Sequence, residues 1–249
     1  MRAGHRVRLV AAIAAVSVTA ACGGMTGADD DHVLPRSTTT TATAAAEPAA
    51  PEAPTTLVAR ADHPVDIHPV PGAAAAQTLP ATTEFGSPRA LLVVQDLGEW
   101  LEVALPERPN GSTGWVRRTD VELREVDEAI DIDLAARTLT LRDAGEIVLT
   151  TPVAVGTTEA PTPTGAFYVV DKLTTGDPAG PYGLFALGLS AHSNVLTDFA
   201  GGDGQVGIHD TNDPTSIGQA VSHGCIRVPN EVSQTLNDLV DLGTPVTIT

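Results

Sequence analysis

From Ala129 to Gly156 the chain reads AIDIDLAARTLTLRDAGEIVLTTPVAVG. Ile130, Ile132 and Leu134 fall on one face, and Leu139 and Leu141 continue the alternation in the next run. A period of two is the side-chain period of a strand, so this stretch is committed to β-structure with one buried face. Asp143-Ala144-Gly145 supplies a turn, and Ile147 to Leu149 forms the returning strand. Further on, APTPTGAFYVVDKL (160–173) is a proline-rich turn leading into a strand, VGIHD (206–210) is a short strand reaching a histidine, and PVTIT is a last strand. The glycine-rich segment 174–205 reads as long loops around short strands, a length that in a compact domain points to function. One helix follows Pro229, with Asn230 as N-cap, Val232, Leu236, Leu239 and Val240 on one face, and Gly243 at its C-terminal end. This half is therefore mostly β, with one prominent helix.

The preceding stretch, Leu57 to about Arg124, reads as all-β. ALLVVQD (90–96) and WLEVAL (100–105) are strand-like, separated by a turn at 96–99, and Asn110-Gly111 signals a hairpin. The order GEWLEVALPERPNGSTGWVRRTDVEL resembles a bacterial SH3-like domain, which implies a small β-barrel over 57–125. Trp100 and Trp115 are expected in its core.

Before residue 57 the composition changes. Arg2, Arg6 and Arg8 precede a short apolar run, Leu9 to Ala21, as in an export signal over 1–21. The run ends on Ala20-Ala21-Cys22-Gly23-Gly24, which resembles a bacterial lipobox and implies lipidation of Cys22. Residues 22–56, rich in Thr, Ala and Pro, cannot bury enough apolar surface to offset chain entropy and read as a disordered tether. The expected location is the outer face of the cytoplasmic membrane or the cell wall, with the membrane engaged through the lipid anchor only. A net charge of −17 without a basic cluster argues against nucleic acid as a partner.

The chain has two cysteines. With Cys22 lipidated, Cys225 has no intramolecular partner, and an exported protein that keeps an unpaired thiol invites a chemical explanation. Cys225 sits in VSHGCIRVPN, with His223 two residues before it and Arg227 two after. A thiol attacks as the thiolate and needs a base or a positive neighbour. His209 and His223 are the candidate bases. The backbone N–H groups of Cys225 and of a neighbouring residue, with Gly224 allowing close approach, are candidate oxyanion donors, and Arg227 suits a carboxylate. A buried structural cysteine fits the same residues. A metal site fits poorly, since the spacing matches no familiar ligand pattern.

The longer stretch GIHDTNDPTSIGQAVSHGCIRVPN (207–230) closely resembles the active-site segment of L,D-transpeptidases of the YkuD family. PTPTGAFYV (161–169) and DIDLAARTLTL resemble two further family signatures, so the resemblance covers 127–249 and implies a YkuD-type β-sandwich or barrel. It implies Cys225 as nucleophile and His209 as proton donor and acceptor. Ser222, Gly224 and His223 become oxyanion or pocket residues, and Arg227 a substrate-binding residue. Loops within 174–205 would form a lid, with Tyr182 and His192 as pocket candidates.

The implied reaction joins peptidoglycan tetrapeptide stems, donor and acceptor, through a thioester. It needs no metal or organic cofactor, and carbapenem-type inhibitors would acylate the thiol. One position departs from the pattern: members commonly have Gly after the first histidine, and this chain has Asp210. Its carboxylate either raises the pKa of His209 by attraction or points away, while its backbone carbonyl still orients the ring. Two enzyme alternatives fit less well, because a sortase-like histidine lies farther upstream and papain-like wall peptidases place Cys before His. With water or a protein as acceptor the same cysteine chemistry would give an L,D-carboxypeptidase or protein-to-wall attachment, and a non-catalytic wall-binding lipoprotein remains as the non-enzyme alternative.

Overall fold

The structure is a computed structural model that describes residues 55–198 and 202–249. The expected leader, Cys22 and nearly all of the tether lie outside the described residues. Seven strands make up the first part: β1 (Thr56–Ala61), β2 (Val65–Ile67), β3 (Gln77–Leu79), β4 (Arg89–Asp96), β5 (Trp100–Ala104), β6 (Thr113–Arg117) and β7 (Glu122–Val126). Five of them form a sheet in the order β6-β5-β4-β1-β7, and β2 pairs with β3. Strand β1 begins at Thr56, the last residue assigned above to the tether.

The second part begins two residues after β7. It holds β8 (Glu128–Asp133), β9 (Thr138–Asp143), β10 (Glu146–Pro152), β11 (Val155–Gly156), β12 (Gly165–Thr174), β13 (Phe185–His192), β14 (Gln205–His209), β15 (Ala220–Ser222), β16 (Ile226–Arg227), helix α1 (Asn230–Leu239) and β17 (Pro245–Ile248). Eight of these strands build one sheet in the order β10-β9-β8-β17-β12-β13-β14-β16, and β11 pairs with β15. The protein is mostly β, and α1 is the one α-helix among the described residues.

The alternation that opened the sequence reading buries Ile130, Ile132, Leu139 and Leu141, none more than 1% exposed. Strand β12 uses both of its faces. Phe167 and Val169 enter one core with α1, while Tyr168 and Val170 enter the other with Leu91 and Leu101 of the first sheet. The buried Tyr168 hydroxyl donates to the Ala104 carbonyl at 3.0 Å, so its polar tip is satisfied across that contact. Val58 of β1 packs in turn into the larger core. The two sheets are thus sewn together through side chains, and all described residues fall within one compact unit. The Asn110 side chain adds a polar clasp, donating to the His192 carbonyl and accepting from the His192 N–H.

Three local readings change. Segment 174–205 contains β13, one of the longer strands, because its residues from Leu187 to His192 are buried on both faces and show no alternation. Pro229 occupies the cap position of α1, so Asn230 is the first helical residue. Its side chain accepts from the Thr211 N–H and ties the helix to the loop after β14. Leu239 is 46% exposed and leaves the buried face to Val232, Leu236 and Val240. Gly243 lies past the helix end at φ +94°, where a Cβ would stand 2.4 Å from a Val58 methyl; its role is close approach between the sheets.

Candidate active site

The site is assembled by β14 and β16, which run parallel with Ile208 opposite Ile226 and His209 opposite Arg227. Ile208 and Ile226 are 1% and 0% exposed, and burial of each is worth about 2–3 kcal/mol. A slip of one residue would expose both, so the apolar pair fixes the register. Residues of odd number then project from the opposite face, which gathers Gly207, His209, Cys225 and Arg227. The backbone of Gly207 favours the thiolate form of Cys225.

A tight turn presents Cys225. The Ser222 hydroxyl donates to the Cys225 carbonyl at 2.6 Å and accepts from the Gly224 N–H at 3.1 Å. Gly224 adopts φ +115°, a conformation that favours glycine. Its carbonyl accepts from the Thr162 hydroxyl at 2.9 Å, and that oxygen accepts in turn from the Gly156 N–H. The proline-rich turn before β12 is thereby the buttress of the cysteine turn. Ser222, 1% exposed, spends its hydroxyl inside the turn, and the Gly224 N–H is already committed to it. An oxyanion donor at this turn must therefore be another N–H than that of Gly224.

His209 is 4% exposed. Its Nδ1 lies 2.5 Å from the Asp210 carbonyl oxygen. A carbonyl can only accept, so Nδ1 carries the proton and Nε2 keeps its lone pair. The Tyr182 ring meets the imidazole edge-on, with centroids 4.9 Å apart. The Asp210 side chain points away from the ring and accepts from the Leu184 N–H at 2.8 Å. Gly183 makes this possible, for a Cβ there would stand 1.9 Å from the Asp210 Cβ. Of the two outcomes considered for Asp210, the structure shows the second: a carboxylate turned from the imidazole, with a carbonyl that holds it.

Cys225, His209 and Tyr182 open into one cleft of about 440 Å³, whose wall includes Leu187, Glu84 and Phe85. Two expected pocket residues, His192 and His223, are not among the residues that line this cleft. His192 is buried with Nε2 3.0 Å from Asp203 Oδ2; it is Asp203 that reaches the cleft. His223 is exposed on the turn. Arg227 lies beside His209 in the sheet, and its Nε is buried with no hydrogen-bond partner among the described residues. Thr162 and Gly207 escaped the sequence reading of individual roles, although Thr162 stands inside the PTPTGAFYV motif. Nothing in the sequence tied Glu84 and Phe85 to this cleft.

Burial pushes the His209 imidazole down to about 4; the Asp210 carbonyl opposes the shift and the Arg227 charge adds to it. Burial also pushes the Cys225 thiol above its usual value, against the Gly207 backbone and the Arg227 charge. At neutral pH the resting pair is a neutral thiol and a neutral imidazole, and a proton must move as the sulfur attacks. Burial raises the Asp210 carboxyl too, against the backbone amides of Leu184 and Phe185.

Residues 127–248 match the family model of the YkuD L,D-transpeptidase catalytic domain. YkuD of Bacillus subtilis is 40% identical over 119 residues, which is 48% of this chain and 64% of that protein. YqjB of the same organism is 36% identical over 108 residues, covering 39% of this chain and 57% of that one. The chain thus spans less than two thirds of the length of these relatives. Among solved structures, the L,D-transpeptidase from Mycobacterium smegmatis is 17% identical, with a TM-score of 0.41 over 79% of this chain and 99% of that one. The segment 127–248 belongs to the YkuD family of L,D-transpeptidase catalytic domains.

Proposed function

We propose that this protein cross-links peptidoglycan, joining two stem peptides 3→3 through a thioester on Cys225. The observation that carries the reading is the shared cleft: the Cys225 thiol opens into it beside an imidazole whose Nδ1–H is held by the Asp210 carbonyl, leaving Nε2 as the base. In the first step His209 Nε2 accepts the thiol proton while the sulfur attacks the carbonyl of the third stem residue. The amide C–N bond breaks, His209 returns the proton to the leaving amine of the terminal D-alanine, and a thioester remains. In the second step the side-chain amine of another stem attacks the thioester, its proton passes through His209, and the thiol is restored. Arg227, two residues on and on the same face, suits a substrate carboxylate. A β-lactam carbonyl would be attacked in the same way, which makes carbapenems candidate inhibitors. Export and lipid anchoring at Cys22, proposed from the leader sequence, would put the chemistry where the wall is built.

The test is mass spectrometry of disaccharide-tetrapeptides incubated with the protein and with its Cys225→Ala variant. A cross-linked dimer that forms only with the thiol present is the expected result. Tripeptide without dimer would make the protein an L,D-carboxypeptidase. If neither product forms and a carbapenem leaves Cys225 unmodified, the enzyme reading falls.

A further inference from the structure

The cleft is not built by the catalytic domain alone. Two of its wall residues, Glu84 and Phe85, come from the loop between β3 and β4, more than forty residues upstream of the family match. This loop is braced at both ends. Arg89, 7% exposed, donates through Nε to the Pro80 carbonyl and through Nη2 to the Thr82 carbonyl, each at 3.0 Å. Inside the loop the Thr83 N–H donates to the Ser87 carbonyl and the Thr83 hydroxyl accepts from the Ser87 N–H. The same hydroxyl donates to Asp171 Oδ1 at 2.5 Å. Asp171 is 1% exposed on β12 and also accepts from Gln205, another residue of the cleft wall. The hydrogen bond to a buried carboxylate thus fixes the loop onto the floor of the cleft.

At the tip of this rigid frame stand two exposed side chains, Glu84 and Phe85, the latter 53% exposed. Held on a braced loop, the Phe85 ring presents an apolar face at the rim of the cleft with its position fixed in advance. Among the described residues the wall carries two carboxylates, Glu84 and Asp203, and no Lys or Arg; Asp203 already faces Arg108 at 3.9 Å and His192 at 3.0 Å, which leaves Glu84 as the acidic side chain exposed at the tip of the loop. An exposed carboxylate at the rim of the cleft attracts a cation.

We infer that the β3–β4 loop is a substrate-binding element of the catalytic cleft, with Phe85 packing on the aliphatic part and Glu84 pairing with the ammonium of an amine-bearing peptide side chain. The inference rests on the proposed acyl-transfer reading and names the feature of the substrate that the first sheet recognises. It gives that sheet a share in specificity, and substrates whose side-chain amine is acetylated lose the contact to Glu84.

The experiment uses the whole chain carrying Cys225→Ala, so that binding is read without turnover. Titration calorimetry compares a tetrapeptide stem with a free side-chain amine against its N-acetylated form, with Glu84→Gln and Phe85→Ala added singly. Glu84→Gln should weaken the free-amine peptide about fivefold and leave the acetylated peptide unchanged, as expected for one partly exposed charge pair. Phe85→Ala should weaken both peptides. Both side chains are exposed, so unfolding midpoints should stay at the parent value and certify the fold. If the Cys225 protein forms cross-links but neither loop variant alters binding, the inference is wrong and the function stands. If that protein forms no product and the parent binds neither peptide, the function reading falls and takes this one with it.

Discussion

His209 should make the fold acid-labile, and His209→Asn should remove that lability. In the folded chain the imidazole is held near 4, against 6.5 in ordinary surroundings. The unfolded chain therefore takes up this proton first as pH falls. The stability contributed by keeping the ring neutral is complete above about pH 6.5 and is lost as pH drops toward 4. The interval is 2.5 pH units, which corresponds to about 3 kcal/mol at the low end of the window. Asparagine at 209 can still donate from its amide to the Asp210 carbonyl, so the orienting bond is kept while the titration is removed. Asp210 has the opposite sign. Its carboxyl is raised, so its contribution is complete at low pH and lost as pH rises through its folded value. Comparing parent and variant cancels that and every other shared group. Urea unfolding at pH 7 and pH 4.5 should show the parent losing about 2–3 kcal/mol more than His209→Asn over this interval. Equal losses in the two proteins, or an imidazole carbon signal that titrates near 6.5 by NMR, would refute the argument from burial.

Arg227→Gln should slow alkylation of Cys225 by iodoacetamide several-fold at pH 8, because the charge that holds the thiol down against burial is gone. The rate-against-pH curve should move to higher pH, and the same variant should raise the His209 midpoint seen by NMR. Asp210→Ala should cost about 1–3 kcal/mol, since the half-buried Leu184 N–H loses its acceptor. Faster amide hydrogen exchange at Leu184 would locate the loss, while Asp210→Asn, which keeps an acceptor there, should protect that amide like the parent.

The sequence carried most of the fold where apolar residues had a period. The alternation from Ile130 to Leu141 announced β8 and β9 because each strand has one buried and one solvated face. It failed at β13 because a strand buried on both sides has no period to read. The cysteine turn was legible as a motif, but the division of labour inside it was not. Ser222 and Gly224 stand next to Cys225 in sequence, yet their polar groups satisfy each other and the cysteine carbonyl. The contributors to the cleft that went unseen, Glu84 and Phe85, arrive through tertiary packing of a different sheet, which leaves no local signature.

Asp210 shows why one substitution cannot be judged from its neighbours in sequence. A carboxylate beside a base suggests a charge effect on the ring. The ring instead feels the backbone carbonyl of Asp210, and the side chain is drawn off by an amide twenty-six residues upstream. The space it occupies exists because position 183 lacks a Cβ and adopts φ +62°. The Thr175 hydroxyl donates to the carbonyl of the same glycine and pins the loop from its other side. Tyr182, one residue earlier, is thereby set edge-on against His209. Asp210 and Gly183 thus form one steric unit, and the departure at 210 is absorbed by the loop that carries Tyr182, with the imidazole left in the tautomer that acyl transfer needs.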